Sequence, residues 1–509
     1  MEPIISINFD KHCQSRVADL AKLKAGAKIH LSGVCGTGMS AVLSLLKERG
    51  FYCSGSDKAF YPPMGEVVKK LADKIYEGYS EKNISDDVDL VVIGNALSRN
   101  NPEVEYVLKS GIAYASMPEV FSALLIGSRD YCAKSVVVAG THGKTTTSAM
   151  IAGAFDKAGL APGYFIGGVP TNLPGGLRSV STQIAVDKRI VVLEGDEYDC
   201  AFFGKFAKFL CYRPDIVVLT SIEFDHADIY SSLEEIEQQF DLLISQIPDD
   251  GFLLACKEDL GVVSLVNRMI EAGKLSQSKL KYYGNVGSFC IKERSSSSNG
   301  QKLIIDLEGE RIELNLKVSG EHNALNAISA LGVAKCLGIN PALCLPGLED
   351  FQGVLRRQQL IYSKNQIDVI EDFAHHPTAV RKTLEALKER YPERRLVAVF
   401  EPRSNTSRRA FFQNDYAQAF DSSDKAMILN VLEATTYSKD NKQIVGLDLD
   451  RLVDDINSRG VSAQLIDTVD QLLSAILDTV RTDDVFVLMS NGDFGGLPSK
   501  LVEKLKAIE

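Results

Sequence analysis

Two glycines, a lysine and a run of threonines stand together at Gly140–Thr147 (GTHGKTTT), directly after the apolar run SVVVA and directly before a helical pattern beginning SAMIAG. A polyphosphate needs this combination. Backbone N–H groups of a glycine-rich turn wrap it at a helix N-terminus, a lysine reaches the outer phosphates, and a hydroxyl can sit on Mg²⁺. Gly140, Thr141, His142, Gly143, Lys144, Thr145 and Thr146 are therefore expected at the phosphates of a nucleotide, with Lys144 reaching the outer ones. The general phosphate-loop pattern would place its first glycine at position 138, where the chain has Val138. Phosphoryl transfer also needs oxygen-rich metal ligands, and two apolar runs end in them: Glu194 in EGDEYD, and Asp225 with His226 in EFDHAD. Singly, each is as readily a helix cap or a solvated charge; their joint occurrence with the loop points to Mg²⁺.

A second glycine-rich turn, KIHLSGVCGTGMS, lies near the start, with Asp57 following the next short apolar segment. Its spacing is G-x-x-G-x-G, which departs from the G-x-G-x-x-G dinucleotide fingerprint and argues against NAD. For Asp57 a plain turn residue is as good a reading as a ligand contact.

These motifs share a setting. KIHLSG, DLVVIGN, SVVVAG, RIVVLEGD, DIVVLTSI, RLVAVFEP, KAMILNV and VFVLMSNG are short apolar runs that end in small or polar residues and precede helical patterns, as in parallel βαβ units, whose ligands bind beyond the carboxyl ends of the strands. The 509 residues exceed one ordinary core, and breaks near 130 and 352 give three α/β domains: 1–130, 131–352 and 353–509. Ser295–Ser298 with Asn299 and Gly300 reads as a mobile hairpin loop.

A net charge of -11 excludes broad affinity for nucleic acid or an anionic membrane. The ten cysteines contain no C-x-x-C pair, which fits a reducing compartment, and no Cys or His spacing suggests zinc. The chain has no spanning apolar run and no basic-then-apolar start, so a soluble, cytoplasmic protein is expected. Of seven histidines, His142, His226, His322, His375 and His376 all lie in the segments singled out.

With GTHGKTTT, EGDEYD, EFDHAD, GEHNALN, the pair Arg356–Arg357, DFAHHP and the N-terminal turn in this order, the chain resembles the Mur ligase family over nearly its whole length. The resemblance implies an α/β, three-domain architecture with Rossmann-like N- and C-terminal domains and a central P-loop ATPase-like domain. It also implies an ATP-dependent ligase that activates a carboxylate as an acyl phosphate and then forms an amide. By motif, the loop Gly140 to Thr146 would hold the ATP phosphates, and Lys144, Glu194 and His226 would be catalytic, Lys144 countering charge on the transferring phosphoryl group. Thr145, Glu194 and His226 would hold Mg²⁺; Asn323 and Asn326 would read adenine; Arg357, Asp372 and His375 would approach the nucleotide. Gly36, Thr37, Gly38, Met39 and Ser40 would hold the diphosphate of a UDP substrate, with Asp57 or Asn95 at the uridine part. Gln358 and Gln359 follow the arginine pair where many relatives have an aromatic and an acidic residue.

The segment SSLEEIEQQFDLLI lacks the lysine that several members carry there, which resembles the branch acting on UDP-N-acetylmuramate itself. EDFAHHPTAV, EPRSNT and SNGDFGGL resemble members that attach the recycled murein tripeptide L-alanyl-γ-D-glutamyl-meso-diaminopimelate, and Arg403, Ser404 and Asn405 are the candidate peptide contacts. Asp493 stands where those relatives usually have glycine. The alternatives are the L-alanine-adding ligase and, from another class, a nucleotide-regulated binding protein without ligase activity.

Overall fold

The apolar runs become the strands of three separate sheets. The structure, a computed structural model, describes residues 20, 22–61, 64–127, 133–181, 183–227, 229–431 and 446–507. The break expected near residue 130 lies outside the described residues.

The first sheet contains β1 (Lys28–Ser32), β2 (Tyr52–Asp57), β3 (Lys74–Glu77), β4 (Leu90–Ile93) and β5 (Tyr114–Ser116) in the order β3-β2-β1-β4-β5, all parallel. The chain reverses direction across the sheet beside β1, and the first glycine-rich turn sits there, ahead of the helix Thr37–Glu48. That turn is braced from below by a buried carboxylate. Glu103 accepts from Ser32 Oγ and Ser56 Oγ, each at 2.6 Å, and from Asn83 Nδ2 at 2.7 Å, so β1, β2 and the following turn are tied to one point. A buried charge is tolerated only when satisfied in this way.

The central sheet has ten strands. β6 (Lys134–Ala139), β7 (Gly163–Phe165), β8 (Leu177–Arg178) and β9 (Ile190–Glu194) are followed by a small hairpin, β10 (Asp199–Ala201) and β11 (Gly204–Ala207), that stands apart. Then come β12 (Ile216–Leu219), β13 (Phe252–Cys256), β14 (Leu280–Gly284), β15 (Phe289–Ser297), β16 (Gly300–Leu307) and β17 (Glu310–Leu316). The order is β17-β16-β15-β14-β13-β12-β6-β9-β7-β8, parallel from β15 to β7 and antiparallel at both edges. The serine run, expected as a mobile loop, is instead strand through Ser297, paired with β16; only residues 298 and 299 form the turn. Backbone pairing needs no apolar side chain, and Arg294 beside the run is held by Glu389 at 2.7 Å.

The third sheet comprises β18 (Gln359–Lys364), β19 (Ile367–Asp372), β20 (Arg395–Phe400), β21 (Lys425–Leu429), β22 (Ser462–Ile466) and β23 (Asp484–Met489) in the order β18-β19-β23-β20-β21-β22. Only β18 runs antiparallel. The carboxyl ends of β19, β20 and β23 face the carboxyl ends of β6, β9 and β12, and the candidate site lies between the two rows.

Candidate active site

The loop after β6 is shaped by its glycines and locked by β12. Gly140 has φ 127°, and a Cβ there would meet Thr220 Oγ1 at 2.3 Å; Gly143 has φ 82° and sits against Asn326 Oδ1. Thr220 Oγ1 donates to His142 O at 2.6 Å, and Ser221 Oγ accepts from His142 N at 2.9 Å. The helix Lys144–Lys157 begins at once and is buried almost all round, so its N-terminus cannot drift.

Lys144 Nζ donates to Gly140 O at 2.6 Å and Thr141 O at 3.1 Å, and lies 2.9 Å from Glu197. Burial works against its charge, but Glu197, Asp196 and Glu194 outweigh that and hold its pKa above the ordinary lysine value. Glu197 is buried as well; burial pushes it up, and the attraction of Lys144 and His226 overcomes this to leave it ionised. His226 Nε2 lies 2.9 Å from Glu197 Oε1. Burial lowers its pKa, and Glu197 more than restores it.

Thr145 Oγ1 and Glu194 Oε1 are 2.8 Å apart. Neighbouring ligands of an octahedral Mg²⁺ at 2.0–2.1 Å stand about 2.9 Å apart, so this pair fits two corners of such a shell. Burial raises the Glu194 pKa, which favours a cation beside it. His226 was expected beside Glu194; the structure pairs it with Glu197, whose position three residues beyond Glu194 no spacing rule had distinguished.

Around this centre is a cavity of about 800 Å³. Every residue expected at the nucleotide, Gly140 apart, lines it: Thr141 to Thr146, Asn323, Asn326, Arg357, Asp372 and His375. Asn323 and Asn326 are on the buried helix Glu321–Cys336, with Asn326 Nδ2 3.4 Å from Asn323 Oδ1. Arg357 arrives on a strap that hangs on the central sheet through Thr171 N–Gly353 O (3.2 Å) and Leu355 N–Val169 O (3.0 Å), and its guanidinium stacks 4.8 Å from the Phe373 ring centroid. Asp372 accepts from Gln358 N and Ala374 N, each at 2.7 Å. Gln358 therefore packs into the wall as part of the strap, its side chain 3.3 Å from His322 Nε2.

A smaller cavity of about 350 Å³ abuts the first and shares Tyr198, Asp225, His226 and His375 with it. Arg403, Ser404 and Asn405, the expected peptide contacts, line its far side with Thr406, Asn491 and Gly492. Asp225 accepts from Thr406 Oγ1 at 2.7 Å across the two sheets; burial pushes its pKa up, but His226, His375 and His376 hold it well below the usual carboxylate range. Beside it, His142, Glu223 and His376 bring their donor atoms within 4.8 Å of one another from three distant segments. Sequence spacing does not reveal such a trio, nor did it mark Glu197, Thr406 or Asn491.

The first turn is assembled differently. Gly36–Ser40 opens the helix Thr37–Glu48, and Asp57 accepts from Cys35 N at 2.8 Å and Lys58 N at 2.7 Å, so its carboxylate holds the turn itself. Asn95 is exposed just beyond β4, beside the same turn.

Comparison with known proteins gives this arrangement its setting. Residues 28–129 match the model for the Mur ligase family catalytic domain, 138–334 the Mur ligase middle domain, and 356–492 the Mur ligase glutamate ligase domain. The chain is also 34% identical, over 94% of its length and 98% of the other, to the UDP-N-acetylmuramate–L-alanyl-γ-D-glutamyl-meso-2,6-diaminoheptandioate ligase of Escherichia coli (strain K12). The chain belongs to the Mur ligase family. Mur ligases are ATP-dependent and form amide bonds, and the three sheets described above are the three-domain Mur ligase architecture. This Mur ligase is also 32% identical to the UDP-N-acetylmuramate–L-alanine ligase of Paenarthrobacter aurescens (strain TC1), over 96% of its own length and 99% of the other. Among solved structures it matches the UDP-N-acetylmuramate-alanine ligase of Thermotoga maritima (TM-score 0.73, 26% identity, covering 95% of this chain and 100% of that one). It also matches a murein peptide ligase from Psychrobacter arcticus 273-4 (TM-score 0.66, 30% identity, covering 94% and 99%).

Proposed function

We propose that this Mur ligase joins L-alanyl-γ-D-glutamyl-meso-diaminopimelate to UDP-N-acetylmuramate at the expense of ATP, in the cytoplasm, returning a murein peptide to peptidoglycan synthesis. The observation that carries this reading is the smaller cavity: at about 350 Å³, with an arginine and two polar side chains on its far side, it is much larger than L-alanine needs and chemically suited to a peptide with several carboxylates. Identity of 34% to a ligase named for that tripeptide supports it.

The domains divide the work as 1–130 for the UDP substrate, 131–352 for ATP and 353–509 for the acceptor. ATP lies in the larger cavity with its phosphates on Gly140–Thr146. The carboxylate of UDP-N-acetylmuramate attacks the γ-phosphorus and ADP leaves; the peptide amine then attacks the acyl carbon, and phosphate leaves. Lys144 counters the charge that gathers on the transferring phosphoryl group. Thr145 and Glu194, with His226, are the residues that would hold Mg²⁺, which when bound neutralises phosphate charge. Asn323 and Asn326 face the base, while Arg357, Asp372 and His375 close over the nucleotide and exclude water that would hydrolyse an acyl phosphate.

The L-alanine-adding reading is favoured by one observation, the TM-score of 0.73 to an alanine ligase. Phosphate release from ATP and Mg²⁺ with UDP-N-acetylmuramate separates the two. Turnover with the tripeptide and not with L-alanine is expected; turnover with L-alanine alone would reverse the assignment, and release with neither acceptor would remove both.

A further inference from the structure

The rim of the smaller cavity carries a pair of charges that the reaction steps above leave unused. Arg403 Nη1 donates to Asp493 Oδ1 at 2.9 Å, and the two side chains are 47% and 78% exposed. Exposed pairs of this kind add little to folding stability, so the fold does not account for it. The pairing is nevertheless built. A Cβ at Gly492 would come within 2.0 Å of Arg403 Nη1 and 2.7 Å of Cζ, so a bare backbone at 492 is what lets the guanidinium lie flat at the cavity mouth. Behind it, Asn491 Oδ1 is buried, lines the same cavity and has no hydrogen-bond partner among the described residues. A buried acceptor without a partner is uncommon in folded proteins and points to a donor supplied from outside the chain.

The pair leaves complementary valences open. A guanidinium has five N–H donors, and Asp493 uses one, so a fork remains for a carboxylate. The Asp493 carboxylate also takes backbone N–H groups at 493 and 495, but it is 78% exposed and its open face can still accept from an ammonium; its hydrogen bond to Arg403, first among these, holds its pKa below the ordinary carboxylate value. Two opposite charges side by side match a ligand group that itself carries both.

We propose that Arg403 and Asp493 form a clamp for a zwitterionic end group on the third residue of the acceptor peptide, Arg403 taking the carboxylate and Asp493 the ammonium. This rests on the ligase reading and adds the third-residue specificity to it. A meso-diaminopimelate side chain ends in such a zwitterion. A lysine at the same place would satisfy Asp493 and leave the arginine fork empty, and a dipeptide would reach neither. Asp493 is then a specificity-determining residue, and selection comes from leaving charges unmatched when the wrong peptide binds.

The test is a cycle between enzyme and substrate. L-alanyl-γ-D-glutamyl-meso-diaminopimelate and the same peptide acetylated on the distal amine are compared on the wild-type protein and on Asp493→Asn. KM and kcat are read from phosphate release, and Kd from calorimetry in the presence of UDP-N-acetylmuramate and a non-hydrolysable ATP analogue. Acetylation is expected to raise KM and Kd about tenfold in the wild type and less than about twofold in the variant, with kcat little altered. An equal acetylation penalty in both proteins, with turnover retained, overturns the clamp and leaves the ligase reading standing. The expected Kd pattern without turnover would overturn the ligase reading and leave the clamp, and no tripeptide binding at all would overturn both.

Discussion

The central sheet meets its two neighbours through junctions of different chemistry. Toward the first sheet the contact is largely apolar: Phe121 and Phe165 lie 4.6 Å apart by ring centroids, Tyr114 and Phe203 5.0 Å, and Leu125, Ile126, Phe209 and Tyr212 belong to one continuous core. Toward the third sheet, an apolar contact, Phe224 against Phe411 at 5.8 Å by ring centroids, stands among polar ones. Asp225 holds Thr406, Glu223 lies 3.4 Å from His376, Arg409 donates to Ala227 O at 2.6 Å, and Arg294 grips Glu389. Apolar burial is lost outright when a junction opens, whereas polar contacts can be exchanged for water at little net cost. The first junction is therefore a weld and the second a joint that can part, and the joint is where both cavities lie. The UDP substrate would be held by a fixed unit, and the nucleotide and acceptor by two units that come together around them.

Breaking the weld gives the largest expected effect. Phe121→Ala should cost about 3–5 kcal/mol in chemical denaturation, because a fully buried ring leaves a cavity, while KM for ATP in the folded protein stays within about twofold. A large change in KM would show that the first junction also moves. At the joint the order reverses: Lys144→Ala should lower phosphate release by about 10²–10³-fold with the fold retained by circular dichroism. Retained turnover would remove Lys144 from the nucleotide site.

Acid should loosen the joint before the weld. Burial holds the His376 pKa down to about 4, so as pH falls from about 6.5 toward 4 the unfolded chain takes up a proton that the folded one refuses, and stability drops on the order of 2 kcal/mol. Glu223, held down to about 2 by His142 and His376 against its burial, adds a further loss from about pH 4.5 downward. His376→Asn should flatten the upper part of that slope in denaturation measured at pH 7, 6 and 5; an unchanged slope would mean another group carries it. The smallest effect is expected from Glu223→Gln, which keeps the shape of the histidine trio and removes its charge. KM for ATP should rise about tenfold, and the melting temperature should fall as well because the ionised Glu223 carboxylate stabilises the folded state; a change in melting alone would make the trio purely structural.

How much of this could be read beforehand follows from what each residue's signal was. The eight apolar runs are all strands because burial on both faces demands continuous Val, Ile and Leu, and that pattern is local. The phosphate loop was legible for the same reason: its parts are adjacent in the chain. Glu197 was not, because EGDEYD offers Glu194, Asp196 and Glu197 within one turn, and only the three-dimensional course after β9 decides which carboxylate meets Lys144. The His142–Glu223–His376 trio joins segments from two sheets, so nothing in its spacing could announce it. Ser295–Ser297 failed in the opposite direction: polar composition suggested a loop, and backbone pairing to β16 prevailed. Asp57 turned out to brace its own turn, a role that its position alone allowed as readily as a ligand contact.

Tyr198, Asp225, His226 and His375 form a party wall between the two cavities. Chemical matter found for either side can therefore be grown across it. Two weak fragments, one seated at the phosphate loop and one under Arg403, would on tethering meet at an effective concentration on the order of millimolar, so that avidity rather than any single contact sets the potency of the joined molecule.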